Sequence, residues 1–118
     1  FKVNHRWMKN INSIFVYGTL QPGMQNDKIL KDFKGNWKKG YVLGKLLNLE
    51  TGDDYGHPVL ELDNKGSKIY GMILNSKDIE KNINKIDDFE GKDYLRVVSN
   101  IFFEDGSKTL AYVYVKKK

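Results

Sequence analysis

The sequence contains no cysteine and only two histidines, His5 and His57. The absence of thiols excludes disulfides, thiolate zinc sites and cysteine nucleophiles, and it fits a reducing compartment, so we expect a cytoplasmic location. We interpret both histidines as ordinary surface or loop residues, because a zinc site needs three or four donors. No metal site is therefore predicted.

Long apolar runs are also missing. No stretch is long and apolar enough to cross a membrane, and no signal-peptide pattern is present, so we expect no membrane partner. The 118 residues, 40% of them hydrophobic, show no internal repeat or linker-like segment, which favours one compact domain. We assign that domain to residues 13–118 and treat residues 1–12 as an N-terminal lead-in that is a candidate for flexibility. The first residue is Phe1, so the position of the natural N-terminus stays open.

Acidic residues are fewer than basic ones, 15 against 20, which gives a formal net charge of +5 and a sequence pI near 9.3. A basic balance raises the chance of an anionic partner. One alternative is thus a basic β-barrel that binds nucleic acid through Lys38, Lys39, Lys45, Trp37 and Tyr41. We rank it low and predict no nucleic-acid partner, because the lysines are interspersed with acids and the dense run at 116–118 is typical of a solvated tail.

Strand-forming patterns dominate the chain. An unbroken apolar run ends in glycine at residues 13–18 and predicts a strand buried on both faces. Gly40 and Gly44 interrupt a β-rich stretch, as glycines do at bends in a closing barrel. The predicted strands are residues 13–18, 37–49, 58–62, 68–74, 94–103 and 110–115, with tight turns at 64–66 and 104–107 joining the third to the fourth and the fifth to the sixth.

Two helices are predicted among these strands. The first is short, follows a turn at residues 21–23 and has Asp27 as its N-cap. The second covers residues 76–90, with Ser76 as its N-cap and Gly91 as its stop. The apolar residues of the first helix are Ile29, Leu30 and Phe33. The elements add up to a small α+β domain with a barrel-like sheet.

The second helix carries a carboxylate on its apolar face. Ile79, Ile83 and Ile86 form one stripe that aims at the core. At about 100° per residue, Glu90 lies in the middle of that stripe, whereas residues 87–88 fall away from its centre. An inward carboxylate must be paired, hydrogen-bonded or protonated, and burial raises its pKa towards the range of a general acid or base. In the alternative, Glu90 lies just past the helix end, in solvent or paired with Arg96.

The end of the first strand is a candidate ligand site. Gly18 has no side chain to block a ligand, and the N–H groups of residues 18–20 are free of predicted sheet partners. Such groups bind a carboxylate or an oxyanion well. In the alternative, Gly18 only lets the chain turn and Tyr17 only packs.

Four motifs follow one another along the chain. They are Val16-Tyr17-Gly18-Thr19-Leu20, Ile86-Asp87-Asp88-Phe89-Glu90-Gly91, Tyr94 with Arg96, and Ala111-Tyr112-Val113-Tyr114. In this order and spacing they resemble the γ-glutamylcyclotransferase-like family over residues 14–115. The short length is similar to the compact branch, which includes the AIG2-like proteins and the γ-glutamylamine cyclotransferases.

The resemblance implies a small mixed β-barrel flanked by two or more short helices. It implies that the loop after the first strand holds the α-carboxylate and α-amine of a γ-glutamyl substrate, and that Glu90 is the general acid/base. The substrate-binding residues so implied are Tyr17, Gly18, Thr19, Leu20 and Tyr114, while the role of Arg96 stays open.

The implied reaction is an intramolecular aminolysis of the transferase or lyase type. The substrate's own α-amine attacks its γ-carbonyl and releases an amine and 5-oxoproline, with no metal or cofactor. The alternative within the same fold is a non-catalytic protein that binds a small ligand, since folds do not determine functions. The leaving amine and the oligomeric state are not specified by any residue pattern.

Overall fold

The computed structural model describes residues 11–18, 21–23, 28–48 and 58–116, and it forms six strands and two helices in these ranges. In chain order they are β1 (Ser13–Val16), α1 (Lys28–Lys31), β2 (Gly35–Asn48), β3 (Pro58–Leu62), β4 (Ser67–Ser76), α2 (Asp78–Glu90), β5 (Tyr94–Phe102) and β6 (Lys108–Lys116).

The strands form a closed mixed barrel, as expected. Their order is β3-β2-β4-β1-β6-β5, and β2 also pairs with β5 through Tyr41 and Phe102, which closes a ring of five strands with β3 attached to β2 outside it. The pairing of β1 with β6 is parallel, and the other pairings are antiparallel. The α+β fold class with a mixed barrel and two helices is confirmed.

Gly40 permits the closure of the barrel. It is buried one residue before Tyr41, where β2 meets β5. A Cβ atom at this position would lie 3.1 Å from the carbonyl oxygen of Phe102, which is tighter than most side-chain contacts. The strand β2 therefore needs a residue without a side chain where the two ends of the sheet approach each other.

The prediction that β3 and β4 are joined as a hairpin is wrong. The turn at residues 64–66 is present, but both strands pair with β2, on opposite sides, and Gly44 is a ladder partner of both Leu62 and Ser67. The connection crosses β2 at this point, and a Cβ at Gly66 would lie 2.6 Å from the Cα of Gly44. Two glycines in contact allow the chain to pass over a strand, a long-range arrangement that no local turn pattern reveals.

The first strand separates two apolar clusters. All four residues of β1 are buried, which confirms the prediction of a strand covered on both faces. Phe15 points into the barrel, where it packs with Val42, Leu60, Ile73, Ile101, Ala111 and Val113. Ile14 and Val16 point outward and pack with Leu30, Leu74, Tyr114 and the isoleucines of α2.

The helix α2 covers the outer face of the barrel with its isoleucine stripe. Ile79, Ile83 and Ile86 are all buried, which confirms the predicted face. The helix begins at Asp78, two residues later than predicted, although the Ser76 hydroxyl does accept the Asp78 N–H at 3.1 Å. The Asp78 carboxylate in turn accepts the N–H of Lys34 at 3.0 Å, and this hydrogen bond lowers the pKa of Asp78.

The predicted end of α2 is confirmed, whereas α1 is shorter than predicted. Gly91 ends α2 as expected, with a positive φ of 87° and its N–H donated to the carbonyl of Asp87 at 3.0 Å. The helix α1 spans only four residues, so Phe33 lies beyond its end. Its predicted N-cap, Asp27, and the histidines lie outside the described residues.

Two residues of the expected lead-in are attached to the domain. The carbonyl of Asn12 accepts the N–H of Ser76 at 2.8 Å, and the N–H of Ile11 is donated to Glu80 Oε2 at 3.2 Å. The two residues that precede β1 are thus hydrogen-bonded to the last residue of β4 and to the first turn of α2.

The crossing of β2 predicts a local stability effect. Gly66→Ala should lower the free energy of unfolding by about 1–3 kcal/mol, because the new methyl group meets backbone that cannot move aside. Urea unfolding would measure this loss. The neighbouring variant Lys65→Ala, at an exposed position, should stay within about 0.5 kcal/mol of wild type. Equal stability of Gly66→Ala and wild type would contradict the close crossing.

Candidate active site

The last turn of α2 brings Glu90 towards the end of β1. Glu90 is the final residue of the helix and is half-buried. Because it is still helical, it lies on the same side of α2 as the buried Ile83 and Ile86. Its negative charge contributes to a raised pKa of Tyr17, after the larger effect of burial. The carboxylate therefore lies within electrostatic reach of the residue that precedes Gly18.

The side chain of Tyr17 has a structural task. Its hydroxyl donates to the carbonyl of Tyr114 at 2.6 Å and accepts the N–H of Leu60 at 3.1 Å. Its ring lies 6.3 Å from that of Phe15 in the barrel interior. The hydroxyl thus connects β3 to β6.

Gly18 is a glycine for which the described residues offer no structural reason. Its φ is outside the left-handed region, and no described atom outside its chain neighbours lies within 4 Å of the position of an added Cβ. Its carbonyl accepts both the N–H and the side-chain amide of Gln21, at 3.1 and 3.2 Å. Gly18 is thus the first residue of a turn that ends at Gln21, and Gly23 adopts a left-handed conformation with a φ of 81°. Thr19 and Leu20 lie outside the described residues.

The side chain of Tyr114 faces α2. The residue is only 4% exposed, and its hydroxyl donates to Asp87 Oδ1 at 2.6 Å. Burial, together with this hydrogen bond, raises the pKa of Tyr114 well above the usual value for tyrosine. The hydroxyl is therefore a protonated donor to the helix.

Asp87 contacts both β5 and β6, although its place in the helical pattern indicates no role for it. It receives Arg96 Nε on the same oxygen atom, at 3.2 Å, and it is half-buried. The helical spacing had placed it away from the centre of the isoleucine stripe, and it does lie on the flank, about 70° from the centre. That flank faces β6, where Tyr114 is the ladder partner of Arg96. Only the strand register brings these three side chains together.

A second tyrosine–carboxylate pair lies further back on the same flank. Tyr112 donates its hydroxyl to Glu80, whose two oxygens lie 3.1 and 3.0 Å away. Tyr112 and Tyr114 are two residues apart on β6 and share its outer face. The guanidinium of Arg96 lies 4.8 Å from the centre of the Tyr112 ring. One edge of α2 is therefore attached to β6 by two hydrogen-bonded tyrosines.

The residues of the nucleic-acid alternative lie along β2 in different surroundings. Trp37 packs against the cluster under α2, and Lys45 lies 3.7 Å from Glu61. Lys38 lies over the ring of Phe103 and Lys39 over that of Tyr70. Lys38 and Lys39 nevertheless line the same surface depression, together with Gly40, Tyr70, Phe103, Glu104 and Asp105.

Other features of the described ranges lie away from Glu90. A surface depression of about 240 Å³ at the junction of β2 and β5 is lined by Leu43, Leu62, Asp63, Asn64, Ser99, Asn100 and Phe102. Within residues 11–18, 21–23, 28–48 and 58–116, no three His, Cys, Asp or Glu side chains are grouped as metal ligands. No helix in those ranges has the length and apolarity needed to span a bilayer.

The barrel with an outer helix is a small α+β fold with known structural relatives. An AIG2-like protein from Mus musculus superposes with a TM-score of 0.70 and 25% identity, over 92% of this chain and 78% of that protein. A protein from Arabidopsis thaliana superposes with a TM-score of 0.65 and 26% identity, over 89% and 68%. A protein described as a gamma-glutamyl cyclotransferase shares the fold at 14% identity, with a TM-score of 0.61 over 90% and 66%.

The sequence comparison identifies the family. The family model described as "Gamma-glutamyl cyclotransferase, AIG2-like" matches residues 14–118. The chain therefore belongs to the gamma-glutamyl cyclotransferase, AIG2-like family, as its motifs had suggested. No curated protein sequence matches the chain significantly.

The hydrogen bonds of Tyr17 predict a stability effect. Tyr17→Phe should lower the free energy of unfolding by about 1–3 kcal/mol at neutral pH, because the buried Leu60 N–H and the Tyr114 carbonyl lose their partner. Chemical denaturation would measure the loss. A variant as stable as wild type would show that water or another group replaces the hydroxyl.

The raised pKa values of Tyr17 and Tyr114 predict alkaline destabilisation. The folded protein keeps both hydroxyls protonated at a pH where the unfolded chain, with tyrosine pKa values of 10.0, loses those protons. The stabilisation is therefore complete below about pH 10 and is lost above it, by about 1.4 kcal/mol per pH unit for each tyrosine. Denaturation at a series of pH values would measure how steeply the free energy of unfolding falls with pH. In Tyr17→Phe this slope should be smaller by about 1.4 kcal/mol per pH unit. An unchanged slope in that variant would contradict the shift.

Proposed function

We propose that the protein is an enzyme that cyclises a γ-glutamyl amine or γ-glutamyl peptide to 5-oxoproline and releases the amine, with Glu90 as the general acid/base. The observation that carries this proposal is the half-buried position of Glu90 on the core-facing side of α2, within electrostatic reach of Tyr17. Family membership supports a reaction of this kind.

In the proposed reaction Glu90 moves a proton between two nitrogens. Its carboxylate takes a proton from the substrate's α-ammonium, and the freed amine attacks the γ-carbonyl carbon to form the five-membered ring. Glu90 then protonates the nitrogen of the leaving amine while the bond between that nitrogen and the γ-carbonyl carbon breaks. The second proton of the ring nitrogen also leaves with the amine, which departs as an ammonium ion. The nucleophile belongs to the substrate, so the protein mainly orients it.

The loop after β1 is proposed to hold the amino-acid end of the substrate. No atom of the described residues lies within 4 Å of a Cβ added at Gly18, and the backbone of residues 17–20 would bind the α-carboxylate and stabilise the developing oxyanion. Tyr114 is proposed to form part of the site wall, since its hydroxyl is already donated to Asp87. The reaction as written needs no metal and no cofactor, and the proposal includes a cytoplasmic location.

Replacement of Glu90 tests the acid/base role. Glu90→Gln keeps the size of the side chain but removes the proton carrier, so kcat should fall by about 100-fold or more. The measurement is release of 5-oxoproline from a panel of γ-glutamyl amines and dipeptides. The control is Asp88→Asn, which makes the same change of charge at an exposed position of the same turn and should retain activity.

Two outcomes would contradict the proposal. Wild-type rates in Glu90→Gln would assign the proton transfer to another group. No 5-oxoproline from any substrate in the panel, together with saturable binding of γ-glutamyl compounds, would favour the non-catalytic ligand-binding alternative.

Side chains added at Gly18 test the ligand loop. Gly18→Ala and Gly18→Val should raise KM in that order, by about tenfold or more for valine, because they fill the space proposed for the substrate. The free energy of unfolding should change by no more than about 0.5 kcal/mol, since the new atoms meet no described neighbour. Loss of folding in both variants, or an unchanged KM in the valine variant, would show that Gly18 serves the fold and not the ligand.

A further inference from the structure

We propose that Asp87 is a positioning residue, which anchors the last turn of α2 to β5 and β6 through Arg96 and Tyr114 and thereby sets the position of Glu90. The catalytic part of this inference rests on the proposed role of Glu90, whereas the anchoring itself does not.

The anchor joins three elements at one oxygen atom. Asp87 Oδ1 accepts a hydrogen bond from the Tyr114 hydroxyl of β6 at 2.6 Å and forms an ion pair with Arg96 Nε of β5 at 3.2 Å. A hydrogen bond to a carboxylate and a contact between a guanidinium and a carboxylate are both stronger than a hydrogen bond between neutral groups. Tyr114 is almost fully buried, whereas 34% of the Asp87 side chain is exposed, so the contact is shielded from water on the side of the hydroxyl.

The backbone of Asp87 is also engaged. Its carbonyl accepts the N–H of Gly91 at 3.0 Å, which closes the final turn of α2 around Glu90. Helix ends fray unless they are held by tertiary contacts, and α2 has no basic residue in its last turn to stabilise it. Glu90 follows Asp87 by three residues, less than one turn, so a shift of Asp87 moves Glu90 with it.

The chain contains a matched control for this anchor. Tyr112 makes the corresponding hydrogen bond from the same face of β6 to Glu80, at 3.1 and 3.0 Å. Glu80 precedes Glu90 by ten positions, which is about 15 Å along the helix axis. Loss of either hydroxyl removes one tyrosine–carboxylate bond to α2, but only the bond of Tyr114 lies at the catalytic end.

The test compares Tyr114→Phe and Asp87→Asn with Tyr112→Phe. Amide hydrogen exchange in the whole protein should become about tenfold faster at residues 89–91 in the first two variants, with the amide of Ile83 unchanged. In Tyr112→Phe the amides of residues 89–91 should exchange at the wild-type rate. A purely global loss of stability would instead accelerate exchange throughout the helix.

The effect on catalysis is measured by determining kcat and KM separately for each variant. Tyr114→Phe and Asp87→Asn should lower kcat on a γ-glutamyl substrate by about tenfold with little change in KM, while Tyr112→Phe retains both constants. Equal effects of the two tyrosine variants, or unchanged exchange at residues 89–91 in Asp87→Asn, would overturn the inference. If the wild-type protein turns over no γ-glutamyl compound, the proposed function fails, and local acceleration of exchange still supports the anchor.

Discussion

The arrangement of the site depends on the burial of the isoleucine stripe of α2 against the outer face of the barrel. Ile79 and Ile86 are almost completely buried there, which determines how the helix is rotated about its axis. Once that rotation is set, the positions of the remaining side chains on the helix follow. Glu90 is half-buried at the end of the helix, and the flank that carries Glu80 and Asp87 faces β6.

Hydrogen-bonded tyrosines attach the apolar core to this polar edge. Tyr17 connects β3 and β6 from inside the barrel, and Tyr114 connects β6 to the helix from outside it. The two are linked, because the hydroxyl of Tyr17 is donated to the main-chain carbonyl of Tyr114. The end of β1, the middle of β6 and the last turn of α2 are therefore held in one connected network next to Gly18.

The parts of the fold that depend on local patterns could be predicted from the sequence. The strand β3 has the predicted bounds, the buried run of β1 and the isoleucine face of α2 are as expected, and Gly91 ends the helix. Each of these follows from the spacing of apolar residues or from the freedom of glycine to adopt a positive φ.

Features that depend on contacts distant in sequence could not be predicted in this way. The passage of Gly66 over Gly44 joins strands that a turn pattern predicts to be a hairpin. The ion pair of Asp87 with Arg96 requires the register of β5 and β6, which no helical projection contains. For the site itself, the sequence indicated Glu90 and Gly18, but the anchor between helix and sheet became visible only in the packed structure.

The most direct test of the central claim is a titration with 5-oxoproline followed by nuclear magnetic resonance of the backbone amides. If the product occupies the proposed site, the signals of Gly18 and Glu90 should shift together in one saturable transition with a common Kd. Shifts confined to the depression at the junction of β2 and β5, around Leu43 and Phe102, would place the ligand elsewhere and contradict the proposed chemistry at Glu90.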